Sequence, residues 1–124
     1  MRTIKFRGKK TTNDVWVYGS LVYSNDLDAA IYFQKGNGGV KSMDRVYVNP
    51  ITVGQFTGLI DKNGKEIYED DVFHLGDPNI LYVVQIEDCG FKGKQVGSSS
   101  YVGLTYWIDK ITVVGNIFDT MLVE

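Results

Sequence analysis

The stretch Gly58-Leu59-Ile60-Asp61-Lys62-Asn63-Gly64-Lys65-Glu66-Ile67-Tyr68-Glu69-Asp70-Asp71-Val72-Phe73 decides the fold. Within it, residues 61–64 lie between one apolar run that ends at Ile60 and another that begins at Ile67. Because Asn-Gly favours the positive backbone angles of a tight turn, the pattern predicts a hairpin of two antiparallel strands. Three adjacent carboxylates at positions 69–71 cannot all face solvent on one pleated strand, so we expect a bend or bulge near Asp70.

Strand patterns of this kind, in which β-branched and aromatic residues lie between turn formers, continue along the chain. No window shows the apolar spacing of three and four that predicts a long helix, and a helical turn is expected only at residues 25–30 and 117–122. The sequence therefore predicts one mostly antiparallel all-β domain over residues 1–124, a sandwich or a partly open barrel. The predicted strands are residues 3–8, 15–23, 29–34, 45–48, 53–60, 66–75, 80–87, 101–108 and 112–118.

Two segments of these strands, residues 15–18 and 80–84, are apolar on both faces. This pattern predicts a central position between packed layers or an interface with another subunit. The chain also carries six Phe, two Trp and eight Tyr, and we expect a homo-oligomer for this reason. By contrast, residues 93–100 are small and polar, which is typical of a mobile loop.

Composition restricts the class of protein further. The formal net charge of −2 differs from the strongly basic balance of most sequence-independent nucleic-acid binders. Cys89 is the single cysteine, which fits a reducing compartment and excludes an intramolecular disulfide. The N-terminus lacks a signal-type apolar run, and no apolar stretch is long enough to cross a bilayer. We expect a soluble cytoplasmic protein without a membrane partner.

Four segments in a fixed order carry a family resemblance: Ile4-Lys5-Phe6-Arg7, Trp16-Val17-Tyr18-Gly19, the run from Thr52 through the hairpin to Phe73, and Val114-Gly115-Asn116-Ile117-Phe118. Together they resemble the YopX family of phage and prophage proteins. One departure is Asp70, which stands where similar members usually carry glycine. The resemblance implies an all-β protein of mobile-element origin in the cytoplasm of a bacterial host. It supplies no active site, because the biochemical role of the family is not established.

The residues show no complete catalytic or metal-binding pattern. His74, the only histidine, follows the acidic residues 69–71, but a catalytic zinc site needs three ligands and no further imidazole or thiolate pair is present. Neither Cys89 nor the serines at 98–100 have the surroundings of an activated nucleophile. We expect no catalytic residue, metal or cofactor. A small metal-dependent hydrolase built on the acidic hairpin is the second alternative for the function.

Charge is distributed unevenly and predicts two binding regions. The first ten residues carry five positive charges and no negative one, whereas residues 61–71 hold five acids against two lysines. The predicted partner-binding residues are the N-terminal basic strip, Lys5, Arg7, Lys9 and Lys10, and members of the acidic hairpin, Asp61, Lys62, Glu69 and Asp71.

These regions favour a non-enzymatic binding protein whose partner is a phage or host protein, or a second copy of the chain. The first alternative is a nucleic-acid-associated module, in which the N-terminal basic strip acts beside Phe6, Trp16 and Tyr18. Against that alternative, Phe6 alternates with the basic residues along the strand and so faces the core if they face solvent.

Overall fold

The computed structural model describes residues 4–24, 28–37, 40–87 and 90–119. These residues form antiparallel strands and one short 3-10 helix, Pro50–Thr52, so the predicted all-β antiparallel fold is confirmed. The chain divides into two compact units, Met1–Gln55 and Phe56–Glu124. The strands are β1 (Phe6–Lys9), β2 (Trp16–Ser24), β3 (Asp28–Asn37), β4 (Val40–Val48), β5 (Gly54–Ile60), β6 (Glu66–Tyr68), β7 (Asp71–His74), β8 (Tyr82–Glu87), β9 (Gly90–Gln95), β10 (Tyr101–Gly103) and β11 (Thr112–Asn116).

The first unit is a meander of strands in the order β4-β3-β2-β1, and the first two residues of β5 pair with the free edge of β1. Its core lies on one face of this sheet, where Ala29, Ile31 and Val48 are buried. Side chains alternate between the faces of a strand, so the residues between these core positions point to the opposite face, where Ala30 is buried and Tyr47 is exposed. Packed against the core are Phe6, Val17, Leu21, Val46 and Val53.

The second unit contains the hairpin of β5 and β6 and a five-stranded sheet in the order β10-β9-β8-β7-β11. Its core joins Ile67 of the hairpin to Phe73 and Val84 of the sheet, and the Phe73 ring stacks on Tyr82 with centroids 5.3 Å apart. Leu104, Ile111 and Val113 complete this core. Hydrophobic burial of this kind is the main driving force for folding.

Several predicted boundaries differ from the structure. The strand predicted at residues 66–75 is interrupted by a turn at 69–70, which confirms the predicted bend. The loop predicted at 93–100 is wrong in its first part, because Gly93–Gln95 belong to β9 and pair with β8. The strand predicted at 101–108 ends at Gly103, and turns follow through residue 110.

The two predicted helical turns lie only partly within the described residues. Residues 28–30 belong to β3 and residues 117–119 form a turn. Residues 25–27 and 120–122 lie outside the described part of the chain, as does Cys89. β2 and β8 are flanked by strands on both sides, but Val15 is 50 % exposed, Tyr18 47 % and Ile80 40 %. The position between packed layers predicted for residues 15–18 and 80–84 is therefore wrong for these side chains, and the alternative, an interface with another subunit, stays a prediction.

The hairpin turn depends on Gly64, whose φ is +86°. A Cβ at this position would meet no neighbouring atom within 4 Å, so the cost of a side chain is backbone strain alone. We expect Gly64→Val to lower the free energy of unfolding by about 1–3 kcal/mol in urea denaturation. Lys65→Val, at an exposed position with ordinary φ, is the control, and equal midpoints for the two variants would contradict the turn assignment.

Candidate functional site

The carboxylate of Asp61 connects two segments of the second unit by hydrogen bonds. Its Oδ1 accepts hydrogen bonds from the N–H groups of Asn63 and Lys65, both at 2.9 Å, and its Oδ2 accepts from the N–H of Val113 at 3.0 Å. The side chain is only 6 % exposed. Asp61 therefore closes the hairpin turn and fastens it to β11. The structure thus gives this predicted partner-binding residue a role inside the fold.

The pKa of Asp61 reflects these bonds. Burial by itself raises the pKa of the carboxyl group, but the hydrogen bonds from Val113, Lys65 and Asn63 and the positive charge of Lys65 outweigh it, so the net pKa lies below the ordinary value. The group stays ionised at neutral pH while it holds three amides.

The acidic bend at residues 69–71 is also structural. Asp71 is 1 % exposed, and its Oδ2 accepts a 2.7 Å hydrogen bond from the N–H of Tyr68. Asp70 lies in the turn with φ +73°; its N–H donates to the Val84 carbonyl, and its carbonyl accepts from the N–H of Ile117. The bend thereby joins β6 and β7 to neighbouring segments. Of the four acidic-hairpin residues predicted to bind a partner, Lys62 is exposed, Glu69 is half-buried, and the two aspartates are buried.

The left-handed backbone at Asp70 explains why glycine suits this position. Glycine adopts positive φ without the Cβ penalty that aspartate carries. We expect Asp70→Gly to raise the free energy of unfolding by about 0.5–1 kcal/mol, which is less than the full strain because glycine also gains entropy in the unfolded chain. Thermal unfolding measures the change. Asp14, with φ +58°, is the matched position, and a lower midpoint for both glycine variants would contradict the strain argument.

His74 does not assemble with the acidic residues into a metal site. Its Nδ1 accepts a 3.0 Å hydrogen bond from the N–H of Gly76, which closes a local turn after β7. Among residues 4–24, 28–37, 40–87 and 90–119, no group of three or more His, Cys, Asp or Glu side chains is placed to hold a metal ion.

The structure does not bring the N-terminal basic strip together as one exposed surface. Arg7 is 5 % exposed, with its guanidinium carbon 4.6 Å from the centroid of a Trp16 ring. The Nζ of Lys9 lies 5.4 Å from the same residue's ring. Lys10 follows Lys9, so its side chain points to the other side of the strand. The backbone of Lys10 forms a β-bridge with Val48, and Lys5 precedes β1. Arg7 and Lys9 of β1 share a face and Lys10 lies on the opposite one, whereas the partner-binding role of the strip stays a prediction.

Strand register places these two cations beside aromatic residues. Arg7 pairs with Tyr18, and Lys9 pairs with Trp16. Phe6 packs against the core, as its alternation with the basic residues predicts, and so cannot stack with a ligand on their face. Trp16 and Tyr18, however, are in phase with the basic residues, so the objection applies to Phe6 alone.

The same face continues across β3 and β4. Ser20 pairs with Tyr32, Tyr32 pairs with Arg45, and Ala30 pairs with Tyr47. We call the set Trp16, Tyr18, Tyr32, Arg45 and Tyr47, together with Lys9, the aromatic–basic face. Tyr18 and Tyr47 are each 47 % exposed, whereas the opposite face of the sheet forms the core.

Arg45 is held between two tyrosines of this face. Its Nη1 donates to the Tyr32 hydroxyl at 3.3 Å, and its guanidinium carbon lies 5.6 Å from the Tyr47 ring centroid. The hydrogen bond with Tyr32 is the main cause that raises the pKa of Arg45 above its ordinary value. Sequence reasoning missed Tyr32, Arg45 and Tyr47. Their signal was the alternation of residues 30, 32 and 34 and of 43, 45 and 47, but only strand register shows that they share a face.

A known protein family and a solved structure are similar to this chain. A family model described as YopX protein matches residues 5–123. The chain belongs to the YopX family. Among solved structures, the crystal structure of protein EF1440 from Enterococcus faecalis is similar to this YopX-family chain, with a TM-score of 0.61 and 21 % identity over 94 % of each chain. At that identity the likeness shows the fold alone. No curated protein matches the sequence.

Within the described part of the chain, no helix has the length and apolar character needed to cross a bilayer.

Proposed function

We propose that this YopX-family chain is a non-enzymatic binding protein and that the aromatic–basic face of its first unit is the contact surface. The observation that carries the proposal is the exposure of large side chains on one sheet face, including Tyr18 and Tyr47. Aromatic residues and arginine are enriched where proteins bind partners, because they supply a large contact area at a low entropic cost. Val22 and Met43 extend the exposed apolar area on the same face.

The carboxylates support a binding role rather than the hydrolase alternative. Asp61 and Asp71 accept hydrogen bonds from backbone amides and are almost completely buried. A carboxylate that is committed in this way is a poor ligand for substrate or metal. We also propose that the protein is of mobile-element origin and cytoplasmic, as the family resemblance implies, and that its partner is a phage or host macromolecule.

Capture from a lysate of cells that carry the element tests the proposal. The bait is the full chain, and the variant is Tyr18→Thr/Tyr47→Thr, since threonine keeps the strand propensity while it removes the ring. The control is Tyr101→Thr/Tyr106→Thr, which removes two exposed tyrosines of the second unit. We expect the wild type and the control to retain the same partner in stoichiometric amount, and the face variant to lose it.

Equal retention by the face variant and the wild type would contradict the assigned surface. Repeating the capture after nuclease treatment separates a protein partner from a nucleic acid. Sedimentation of the same variants tests the homo-oligomer prediction: if a second copy covers the face, the double variant sediments as a monomer and the control does not.

A further inference from the structure

We propose that the partner of the aromatic–basic face is single-stranded nucleic acid. This inference rests on the proposed function, in which that face is the contact surface, and adds the chemical class of the ligand. Three features of the first unit carry it: a diagonal row of aromatic rings, cations beside those rings, and a net positive charge that the second unit does not share.

The aromatic rings follow a diagonal across three strands. Tyr18 on β2 lies two residues before Ser20, which pairs with Tyr32 on β3. Tyr32 pairs with Arg45 on β4, and Tyr47 lies two residues farther along that strand. Diagonal neighbours on one sheet face are roughly 7–8 Å apart. Trp16 extends the row at its β2 end. Successive bases of an extended strand can stack on successive rings of such a row, and four-stranded sheets recognise single-stranded RNA in this manner.

Positive charges accompany the rings at both ends of the row. Lys9 lies beside Trp16, and Arg45 lies beside Tyr32 and Tyr47. Of the described side chains on this face, the only carboxylate that alternation places there is Asp28, at the far end of the β2–β3 pairing. A phosphate backbone that passes along the row therefore meets cations next to the stacked bases.

The charge of the two units differs in sign. Residues 1–55 contain eight Lys and Arg and four Asp and Glu, a net charge of +4. Residues 56–124 contain five Lys and Arg and eleven Asp and Glu, a net charge of −6. The overall charge of −2 argued against nucleic-acid binding at the level of composition, but it conceals the opposite charges of the two units. Charge complementarity thus favours a polyanion on the first unit specifically.

A single strand fits these features better than a duplex. In a duplex the faces of the bases are stacked on one another and cannot reach tyrosine rings on the face of a sheet. In a single strand the base faces are available, and stacking is tolerant of sequence because every base has a π-face. We therefore expect little sequence preference.

Fluorescence anisotropy with the full chain tests the inference. The probe is a fluorescein-labelled oligothymidylate of about 12 nucleotides, within the site size of small single-strand-binding β domains. The oligouridylate of the same length and a matched duplex are measured beside it. We expect the single strands to bind, the duplex to bind more weakly, and affinity to fall as salt rises.

Variants of the face identify the surface that is used. Tyr18→Thr and Tyr47→Thr are each expected to weaken binding by roughly 5- to 100-fold, the range for loss of one stacked base. Arg45→Gln is expected to weaken binding and to reduce the slope of log affinity against log salt by about one. Tyr106→Thr and Lys110→Gln, at exposed positions of the second unit, are the matched controls and are expected to bind as the wild type does.

Three results would overturn the inference: no binding of either single strand by the wild type, equal affinity for the duplex, or equal loss in face and control variants that keep the wild-type circular dichroism spectrum. Failure of the inference is distinguishable from failure of the proposed function. If nucleic acid does not bind but the Tyr18→Thr/Tyr47→Thr variant still loses a nuclease-resistant partner or its self-association, the face binds a protein. If the variant loses neither, both proposals fail.

Discussion

Replacing Asp61 by alanine is expected to lower the free energy of unfolding by about 3–4 kcal/mol, because three backbone amides lose their acceptor at once. Two of these donors, Asn63 and Lys65, lie in the hairpin turn, and the third, Val113, belongs to a strand 52 positions away. The substitution removes two local hydrogen bonds of the turn and one long-range hydrogen bond to β11 together. Urea denaturation of the full chain measures the effect.

Asp77→Ala is the matched control for this substitution. Asp77 is exposed, and its carboxylate accepts one local hydrogen bond, from the N–H of Asn79 at 2.9 Å. We expect this variant to lose about 0.5–1 kcal/mol. A similar loss for Asp61→Ala would show that the amide of Val113 does not depend on the Asp61 carboxylate.

The stabilisation by Asp61 is also expected to depend on pH. Because the folded pKa lies below the unfolded one, the ionised carboxylate stabilises the fold above the unfolded pKa of about 4, and this contribution is lost as pH falls through the folded pKa. Asp61→Asn removes the titration and offers only one acceptor oxygen to three donors. The difference in stability between wild type and Asp61→Asn should therefore be largest near neutral pH and shrink below about pH 4. A difference that is constant from neutral to acidic pH would contradict this reading.

Gly19→Ala is expected to be the most disruptive change in the first unit, at about 3 kcal/mol. A Cβ on Gly19 would collide with the backbone carbonyl oxygen of Tyr32 and lie 3.1 Å from Cγ2 of Ile31. Backbone cannot move aside as a flexible side chain does, so β2 and β3 would have to separate. The Tyr32 hydroxyl accepts a hydrogen bond from Arg45, so the loss of structure is expected to extend to the aromatic–basic face.

Ser20→Ala is the control for Gly19→Ala, since Ser20 is exposed on the neighbouring position of β2. Its free energy of unfolding should stay within about 0.5 kcal/mol of the wild-type value. If Gly19→Ala is as stable as Ser20→Ala, the close approach of β2 and β3 at this point is not tight.

The hairpin at residues 61–64 and the bend at Asp70 were predictable from sequence, because both depend on local chemistry: an Asn-Gly turn and three adjacent carboxylates. The strand β9 was missed because Gly90, Gly93 and two lysines lower the apparent strand propensity of residues 90–95, and pairing with β8 overrides it. The long-range bond from Val113 to Asp61 has no local signal in the sequence.

The candidate site was predictable only in part, for a similar reason. Lys9, Trp16 and Tyr18 were noted as neighbours in the chain, but their shared face depends on the pairing of β1 with β2. Tyr32, Arg45 and Tyr47 join them only through the register of β2 with β3 and of β3 with β4. A shift of one residue in either pairing would move these side chains to the other face. Register, rather than composition, therefore creates the aromatic–basic face.

A two-dimensional amide NMR titration of the full chain with the oligothymidylate tests whether single-stranded nucleic acid binds the aromatic–basic face. Binding on that face predicts that the largest chemical-shift changes fall in residues 16–24, 28–34 and 43–48, with Tyr18, Tyr32 and Tyr47 among them. Changes that are largest within residues 56–119, or no changes at concentrations where the strand is bound, would contradict it.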